Sequence, residues 1–460
     1  MSHYDAVVIG AGQGGGPLAG AFARAGRRTA LIERAHVGGT CVNEGCSPTK
    51  TMLASARVAH LTRRAAGYGV LAAVSGIDMR RVRERKQAIV DSFRDGSQGG
   101  LDRAGVEVIR GTARFVAHRT LLVVSGRDVR RLTADLVFIN TGLRPAIPRI
   151  PGLSDTPFLT STSIMELDAV PDHLLVLGGG YVGLEFAQMF RRFGSRVTVL
   201  QRSAQLLPRE DLDVAQEVAK LLAEDGIDVR LEAGVTAVSA RDGGIMVEDR
   251  GRSKAEVEGT HLLVATGRRP NTDDLDASAG GIALDERGFV RVNERLETTA
   301  EGVYALGDVT GGPAFTHISY DDFRILRTSL LEGGRATTAG RLLPYTVFID
   351  PQLGRVGMTE REAREAGRSV RLATMPMSLV ARALEVDETR GFMKAIVENG
   401  SNRILGAAVL GLEGGEIAAL FQIAMMGGLP YTALRDGIFS HPTLAESLNN
   451  LFAAMDRTSQ

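Results

Sequence analysis

Two cysteines are the residues of this chain best suited to redox chemistry. Cys41 and Cys46 lie five residues apart in the segment GGTCVNEGCSPTK, and they are the only cysteines among 460 residues. The glycines permit an unusual backbone, and Pro48 suits the first turn of a following helix. The dipole at a helix start lowers a thiol pKa and so favours the thiolate needed for exchange. We therefore predict a redox-active pair, with two inert buried cysteines as the alternative.

A bound structural metal is not expected at these cysteines. Tetrahedral zinc ligation needs further cysteines or paired histidines, and the sequence has no His-x-His or His-x3-His pattern. His36 and His60 are isolated. We predict no metal site.

The segment HPTLAE offers an acid–base pair. Thr443 and Glu446 have the spacing of a capping box, so Glu446 could serve only to start a helix. Alternatively, Glu446 orients His441, whose imidazole titrates near neutral pH and can take and return a proton. We favour the second interpretation because Pro442 fixes the position of His441 at the helix entrance.

Two similar segments, which begin at Tyr4 and His173, predict the elements that position these groups. Each has a short apolar strand, Gly-x-Gly-x-x-Gly, a helix closed by glycine and a second strand. The distance from the first glycine of the motif to the closing glycine is 16 residues in both, and the distance to the end of the second strand is 23 in both. This pattern predicts two nucleotide-binding βαβ units, with the motif glycines Gly10, Gly12 and Gly15, and Gly178, Gly180 and Gly183.

The two units differ at the end of the second strand. Glu33 can accept hydrogen bonds from a ribose, which predicts an adenosine-containing cofactor at the first unit. The second unit has Gln201 at this position, followed by Arg202 and Arg209. Without a carboxylate to repel a 2′-phosphate, and with guanidiniums to bind it, we expect NADPH over NADH. The alternative is that both arginines are solvated surface charges.

Length and composition predict several domains. At roughly 100 to 200 residues per domain, 460 residues suggest three or so. The 54 basic and 54 acidic residues balance, so neither nucleic acid nor an anionic membrane is indicated. The start resembles a first strand and not a signal peptide, and no apolar run could span a membrane. With so few cysteines, we predict a cytoplasmic protein in which a disulfide would be catalytic or regulatory.

The order of these motifs resembles the class I pyridine nucleotide-disulfide oxidoreductases, or flavin disulfide reductases. The resemblance rests on the dinucleotide folds, Gly-Gly-Thr-Cys-x4-Cys-x-Pro-x-Lys, a Gly-Asp motif and His-Pro-Thr-x-x-Glu. Phrases such as LLPREDLDVA and FTHISYDDFRILR are most similar to the mercuric-reductase-like branch, which includes copper(II) reductases of reactive-chlorine resistance. The resemblance implies an α/β fold with two Rossmann-like domains and a C-terminal α+β dimerisation domain. We predict an FAD-binding domain at 1–150 and 271–340, an NAD(P)-binding domain at 151–270 and a dimerisation domain at 341–460.

The resemblance also implies roles for individual residues. Cys46 would be the flavin-proximal thiol and Cys41 the outer thiol, while Lys50 and Glu185 would pair beside the flavin. Tyr181 would cover the nicotinamide pocket, and His441 would come from the other subunit of a homodimer. Thr316 would begin a helix aimed at the flavin; it could also be a plain N-cap, and both could hold at once. The remaining predicted cofactor-binding residues are Gly39, Thr40, Ala113, Gly142, Gly267 and Asp308.

This chain differs from three known branches of the family, and these differences limit the choice of acceptor. Known mercuric reductases carry a second cysteine pair near the C-terminus and no histidine at the position of His441. Glutathione reductases have an arginine within the stretch that corresponds to 16–21, and dihydrolipoamide dehydrogenases usually have an acid at the position of Gln201. The leading hypothesis is an NADPH- and FAD-dependent enzyme that reduces a metal ion, such as Cu(II) or Hg(II), or a low-molecular-weight disulfide. The alternatives are a dihydrolipoamide dehydrogenase and a flavin redox sensor without turnover.

Overall fold

The computed structural model describes residues 2–241, 243–252 and 254–458. The β-strands are Ser2–Ile9 (β1), Thr29–Glu33 (β2), Glu107–Arg110 (β3), Thr112–Ala117 (β4), Thr120–Ser125 (β5), Asp128–Ile139 (β6), Leu143–Pro145 (β7), His173–Leu177 (β8), Arg196–Leu200 (β9), Asp228–Arg230 (β10), Val235–Arg241 (β11), Gly244–Asp249 (β12), Ala255–Gly259 (β13), His261–Val264 (β14), Arg268–Pro270 (β15), Val303–Ala305 (β16), Tyr345–Val347 (β17), Gln352–Gly357 (β18), Val370–Pro376 (β19), Phe392–Glu398 (β20) and Ile404–Gly411 (β21).

Helices alternate with the strands in the nucleotide-binding regions. The α-helices are Gly15–Arg24 (α1), Gly39–Asn43 (α2), Cys46–Arg64 (α3), Met79–Ala104 (α4), Tyr181–Phe193 (α5), Leu212–Glu224 (α6), Thr316–Leu330 (α7), Glu360–Glu365 (α8), Ala381–Glu385 (α9), Gly414–Met426 (α10), Tyr431–Asp436 (α11) and Ser447–Thr458 (α12). Short 3-10 turns occupy Ala65–Tyr68, Leu153–Asp155, Ser163–Glu166, Ala277–Gly280, Gly307–Thr310 and Met377–Leu379.

The chain divides into two compact units. The first holds the residues up to Met52, Arg80–Ala146 and Gly267–Arg341. The second holds Leu53–Met79, Ile147–Thr266 and the residues from Leu342 onwards. The three domain boundaries expected from the sequence, after residues 150, 270 and 340, stay a prediction.

In the first unit, a sheet of order β3-β2-β1-β6-β5-β4, with β16 also on β6, forms the scaffold. β1 pairs in parallel with β2 and β6. Its side chains alternate between two cores, because Val7 and Ile9 belong to one and Ala6 and Val8 to the other. A strand buried on both faces has a continuous apolar sequence, which is why β1 stands out in the sequence.

The second unit contains two further principal sheets. The parallel sheet β10-β9-β8-β14 repeats the arrangement of β3-β2-β1-β6, which confirms the duplicated dinucleotide-binding fold. The antiparallel sheet β17-β18-β21-β20-β19 packs against α10 and α12. An α/β fold with a C-terminal α+β domain is therefore confirmed.

Candidate active site

The first glycine motif connects β1 to α1 through very close backbone contacts. Gly10 has a φ of 102°, and a Cβ there would lie 2.3 Å from the Asn140 carbonyl oxygen. A Cβ at Gly15 would lie 2.1 Å from the Gly10 carbonyl oxygen, so only glycine lets the helix start this close to the strand. A Cβ at Gly12 would lie 2.8 Å from the side-chain oxygen of Asn140. The turn thus has the compact backbone that a pyrophosphate requires.

Glu33 stands beside this turn at the end of β2. Its Oε2 accepts a hydrogen bond from the Ala11 amide at 2.9 Å, and its Oε1 accepts one from the Ala35 amide at 2.9 Å. The side chain is 8% exposed. This carboxylate is fixed at the place where the sequence predicts contact with a ribose.

Asn140, at the carboxyl end of β6, is a positioning residue that the sequence analysis missed. Its side-chain oxygen accepts from the Gly15 amide at 2.9 Å, and its Nδ2 donates to the Leu306 carbonyl at 2.8 Å. It therefore joins the first glycine motif to the strand that precedes Asp308. A polar residue at the end of the apolar run FIN was the available signal.

The cysteine segment is attached directly to the first glycine motif. The Gly38 amide donates to the Ala11 carbonyl at 2.9 Å, and Gln13 Nε2 donates to the Gly38 carbonyl at 3.1 Å. Gly39 has a φ of 62°, and a Cβ there would lie 2.6 Å from the Cα of Gly12. Thr40 follows on α2 with an exposed side chain. These contacts hold the cysteine segment against the first glycine motif, where the sequence predicts the cofactor.

The two cysteines occupy adjacent short and long helices. Cys41 lies within α2 and is partly buried, whereas Cys46 is the first residue of α3 and is exposed. Its Sγ lies 3.4 Å from Oγ1 of Thr316. The hydrogen bond with Cys46 and burial raise the pKa of Cys41 above its usual value, while Thr316 and Lys50 act in the opposite direction. The expected lowering of the thiol pKa is therefore wrong for Cys41, because its hydrogen bond with Cys46 and its burial both favour the protonated thiol.

Thr316 begins α7 and is not its N-cap. The capping position belongs to Phe315, which provides no side-chain hydrogen bond to the helix. The alternative of a plain N-cap at Thr316 is thus wrong. The hydroxyl contacts Cys46 instead.

Asp308 lies in the 3-10 turn after β16. Burial raises its pKa to about 6, and Arg268 opposes this effect. The preceding Gly307 amide donates to Oδ2 of Asp322 at 2.8 Å, and Asp322 is paired with Arg341 at 2.6 Å. A largely buried carboxylate with a raised pKa is suited to accept hydrogen bonds from ligand hydroxyls, such as those of a ribityl chain.

Three other predicted cofactor-binding residues lie on this same unit. Ala113 is buried on β4. Gly142 has a φ of 66° between β6 and β7, and Gly267 has a φ of 140° before β15. The Ala146 amide donates to the Gly267 carbonyl at 3.0 Å, which joins the chain segments around both glycines.

The second glycine motif repeats the first in the other unit. Gly178 has a φ of 115°, and a Cβ at Gly183 would lie 2.2 Å from the Gly178 carbonyl oxygen. Gly180 faces open space. Oε1 of Gln201 accepts from the Gly179 amide at 2.9 Å, as Glu33 does at the first motif. Its Nε2 donates to the Gln205 carbonyl at 3.1 Å.

The flanking residues of this motif divide into exposed and buried groups. Arg202 and Arg209 are exposed. Tyr181 is the first residue of α5, and Glu185, one turn later, is 3% exposed. Oε1 of Glu185 accepts from the Phe348 amide at 2.9 Å. The ion pair of Glu185 with Lys50, a residue of the first unit, stays a prediction.

His441 and Glu446 form a close pair before α12. Nδ1 of His441 lies 3.0 and 3.1 Å from the two carboxylate oxygens of Glu446. The Glu446 amide donates to the Thr443 hydroxyl at 3.3 Å, which is half of a capping box, while the carboxylate contacts the imidazole. His441 borders a cavity of about 190 Å³, and its side chain is 74% exposed. This geometry supports the acid–base interpretation.

Comparisons with known proteins agree with this geometry. Residues 4–322 match the family model of pyridine nucleotide-disulphide oxidoreductases, and residues 343–452 match the dimerisation domain of that family. This chain belongs to that family. The family's enzymes are oxidoreductases, and FAD and a pyridine nucleotide are the cofactors that the comparisons support.

Several relatives cover nearly the whole chain. The probable pyridine nucleotide-disulfide oxidoreductase RclA of Escherichia coli is 42% identical over 98% of this chain and 99% of its own. A mercuric reductase of Staphylococcus aureus is 33% identical over 99% of this chain and 83% of its own, and a dihydrolipoyl dehydrogenase of Haloferax volcanii is 34% identical over 96% and 94%. A solved structure, the Cu(II) complex of the HOCl-induced flavoprotein disulfide reductase RclA from Escherichia coli, superposes with a TM-score of 0.91 at 41% identity and covers 99% of this chain and 100% of that one.

Family membership confirms the predicted flavin disulfide reductase and its dimerisation domain. Within the described residues, no group of three or more His, Cys, Asp or Glu side chains could hold a metal ion. No described helix is long and apolar enough to cross a membrane.

Proposed function

We propose that this protein transfers electrons from NADPH through FAD to the Cys41–Cys46 disulfide, and that the reduced pair then reduces a small acceptor, in particular Cu(II). The observation that carries the proposal is the position of Cys46. Its Sγ contacts Thr316 at the start of α7, in the same compact unit as the first glycine motif, Glu33 and Asp308. The redox pair therefore shares a unit with the residues suited to hold FAD.

The residues of this unit fit FAD by their own chemistry. The backbone of Gly10, Gly12 and Gly15 would hold the pyrophosphate, Glu33 the adenosine ribose and Asp308 the ribityl chain. When bound, FAD supplies the two-electron relay between a nicotinamide and a disulfide. The start of α7 at Thr316 would offer amide groups that stabilise negative charge.

The two thiols would have different roles. Cys46 begins α3, where the helix dipole favours its thiolate, and we assign it the position next to the flavin. Cys41 would be the outer thiol that meets the acceptor. Because the pKa of Cys41 is raised, its proton must be removed by a base before it can react.

We assign this base to His441, oriented by Glu446. By family resemblance, the histidine acts across the homodimer interface, so His441 of the partner subunit would serve the Cys41 of this chain. The Nδ1 contact with Glu446 leaves Nε2 to take the thiol proton. Tyr181 would cover the nicotinamide site, and Lys50 with Glu185 would adjust the charge beside the flavin.

Cu(II) is the acceptor that we favour because the 41% identical RclA structure is described as a Cu(II) complex. In the proposed step, the dithiol gives one electron to each of two Cu(II) ions. The products are two Cu(I) ions, the Cys41–Cys46 disulfide and two protons. Hg(II) and low-molecular-weight disulfides are the acceptors to compare.

The preference for NADPH rests on Gln201, Arg202 and Arg209. Gln201 has the contact to the glycine loop that Glu33 makes in the first fold, but it is neutral. A 2′-phosphate beside Gln201 would not be repelled, and two exposed guanidiniums lie on the same loop. We also place the enzyme in the cytoplasm, where thiols stay reduced.

The test combines one spectrum with an acceptor panel. Anaerobic addition of one equivalent of NADPH is expected to give a long-wavelength absorption band between the Cys46 thiolate and the flavin. Cys46→Ser should abolish the band, whereas Ser47→Ala, the matched neighbour, should keep it. Steady-state NADPH oxidation should then be fastest with Cu(II) among Cu(II), Hg(II), quinones and disulfides. A protein without FAD, or a band that survives Cys46→Ser, would refute the proposal.

Dihydrolipoamide dehydrogenase is the second candidate. The His441–Glu446 pair and the 34% identical dihydrolipoyl dehydrogenase favour it. Rapid reduction of NAD⁺ by dihydrolipoamide would establish this activity. If the protein is instead a flavin redox sensor, none of the acceptors in the panel should support steady-state oxidation of NADPH.

A further inference from the structure

The loop after β9 is tied firmly to the second glycine motif. This loop, residues 201–211, carries Arg202 and Arg209 and ends at the start of α6. The Leu207 amide donates to the Gly179 carbonyl at 3.0 Å, with Leu207 at a φ of 43°. A Cβ at Gly179 would lie 2.5 Å from the side chain of Leu206. The loop backbone and the nucleotide-binding turn are therefore in direct contact.

Glu210 anchors this loop on its buried side. It is 2% exposed, and its Oε2 lies 3.7 Å from Nε of Arg355 on β18, which is also 2% exposed. The Tyr345 hydroxyl donates to Oε1 of Glu210. Within the described part of the chain, Oε2 of Glu210 and both Nη atoms of Arg355 are buried without a hydrogen-bond partner. A buried pair with such gaps is expensive in free energy, so stability alone is a poor explanation for it.

A group of ion pairs around the buried Lys394 holds the next residues. Nζ of Lys394, a residue 1% exposed on β20, lies 3.3 Å from Asp211, 2.8 Å from Asp213 and 2.8 Å from Glu360. Asp211 also accepts from the Glu360 amide at 2.9 Å. The end of the loop is thus fixed to the C-terminal sheet within the same unit.

Arg209 is an exposed residue directly before the buried Glu210. Its carbonyl accepts from Nη2 of Arg361 at 3.1 Å, and the next residue is Glu210. The direction of the Arg209 side chain therefore depends on a backbone held by Glu210 and Arg361.

We propose that Glu210 and Arg355 form a positioning pair that sets how tightly the 2′-phosphate of NADPH binds to Arg202 and Arg209. The inference rests on the proposed NADPH preference. Neither member of the pair would touch the nucleotide. Ion pairing orders the loop and aims the arginines, and loss of the pairing lets the loop relax.

The same pair gives the site a dependence on pH. Burial raises the pKa of Glu210 to about 7. The titratable and charged groups around it are Arg355, Tyr345, Asp211, Glu362 and Arg361. Because the pKa in the folded protein lies above the usual 4.5, Glu210 is neutral below about pH 7 and ion-paired above it. Binding of a 2′-phosphate should strengthen as the pH rises through 7.

The test uses the FAD-loaded protein and two fragments of the nucleotide. Isothermal titration gives the Kd of 5′-AMP divided by the Kd of 2′,5′-ADP, a ratio that reports only the contribution of the 2′-phosphate. In Glu210→Gln and in Arg355→Met, we expect this ratio to fall by about twofold to thirtyfold, the usual range for residues that act without contact. The double variant should lose no more than either single one. Glu224→Gln, an exposed carboxylate on α6, is the matched control.

Kinetic measurements and the pH dependence of binding distinguish a positioning role of Glu210 from a purely structural one. The KM for NADPH should rise in Glu210→Gln while the KM for NADH and the kcat stay unchanged. The rise in 2′,5′-ADP affinity between pH 6 and 8 should shrink in this variant, and the remainder reports ionisation of the phosphate itself. If Glu210→Gln melts at a lower temperature but keeps the wild-type ratio, the pair is only structural and the inference is overturned.

The outcomes also distinguish failure of the NADPH preference from failure of the positioning pair. If the wild type binds 2′,5′-ADP no better than 5′-AMP, the NADPH preference fails and the positioning pair fails with it. If the wild type discriminates and a folded, FAD-loaded Glu210→Gln discriminates equally, only the positioning pair fails. Since Arg355→Met could prevent folding, the nearly isosteric Glu210→Gln decides the matter.

Discussion

Replacement of Asp308 by asparagine should have opposite effects on the apoprotein and on FAD binding. The carboxylate is largely buried in the turn after β16, and burial raises its pKa from 3.8 to about 6. Asparagine has nearly the same shape and carries no charge. It therefore removes the cost of a buried carboxylate and also removes the acceptor proposed for the ribityl hydroxyls.

The size of the first effect follows from the pKa. One pKa unit corresponds to about 1.4 kcal/mol, so the change from 3.8 to about 6 destabilises the folded apoprotein by about 3 kcal/mol at pH 7.5. Because the pKa of Asp308 is higher in the folded than in the unfolded protein, its ionisation lowers the free energy of unfolding. This destabilisation is complete above about pH 6 and disappears below pH 3.8. At pH 5, roughly half of it remains.

The assay compares urea unfolding midpoints of apoprotein at pH 7.5 and pH 5. Asp308→Asn should be more resistant than the wild type, and the difference should be about twice as large at the higher pH. FAD should bind the variant about 10 to 100 times more weakly, because a hydrogen bond to a charged group contributes about 1.5 to 3 kcal/mol. Glu301→Gln, which removes an exposed carboxylate of the same unit, should change neither quantity. An apoprotein variant no more stable than the wild type at pH 7.5, or unchanged FAD affinity, would contradict the reasoning.

Three further predictions concern the cofactors and the proton relay. Gln201→Glu should lower the ratio of kcat/KM for NADPH over NADH by at least about tenfold, since like charges would then face each other; a wild type that already prefers NADH would refute it. Glu446→Gln should slow reoxidation of the dithiol by an acceptor roughly 100-fold in stopped-flow experiments while reduction by NADPH stays fast; equal slowing of both half-reactions would argue against the proton relay. Gly39→Ala should lose FAD, because a Cβ at this position would lie 2.6 Å from the Cα of Gly12. The measurement is the ratio of flavin to protein absorbance. The control Gly16→Ala should retain FAD, since the atom nearest to its Cβ would be 3.8 Å away. Full FAD content in Gly39→Ala would show that the segment can shift.

The local sequence was sufficient to predict the elements of this fold. The two Gly-x-Gly-x-x-Gly motifs, the apolar strands before them and a helix with Pro48 in its first turn were all predictable, because strand burial, tight turns and helix starts depend on neighbouring residues. The pairing of His441 with Glu446 was predictable for the same reason, since the residues lie five apart.

Long-range contacts could not be predicted in this way. The hydroxyl of Thr316 meets Cys46 across 270 positions, and Asn140 ties the glycine motif to the strand before Asp308. The raised pKa of Cys41 could not be predicted from the sequence either. The helix dipole depends on one element, whereas burial and the contact with the neighbouring thiol depend on the packed fold.

The sequence by itself therefore determined the family, the duplicated nucleotide folds and the redox pair, since each is written in residues close together along the chain. Only the tertiary structure decided which charges are buried and with what partners. Glu210 is the clearest example: in the sequence it is one acid among many in LLPREDLDVA, and only the approach of β18 places Arg355 beside it and removes both from water. Desolvation, which sets the charge state of such a group, is a property of the packed fold and not of the chain.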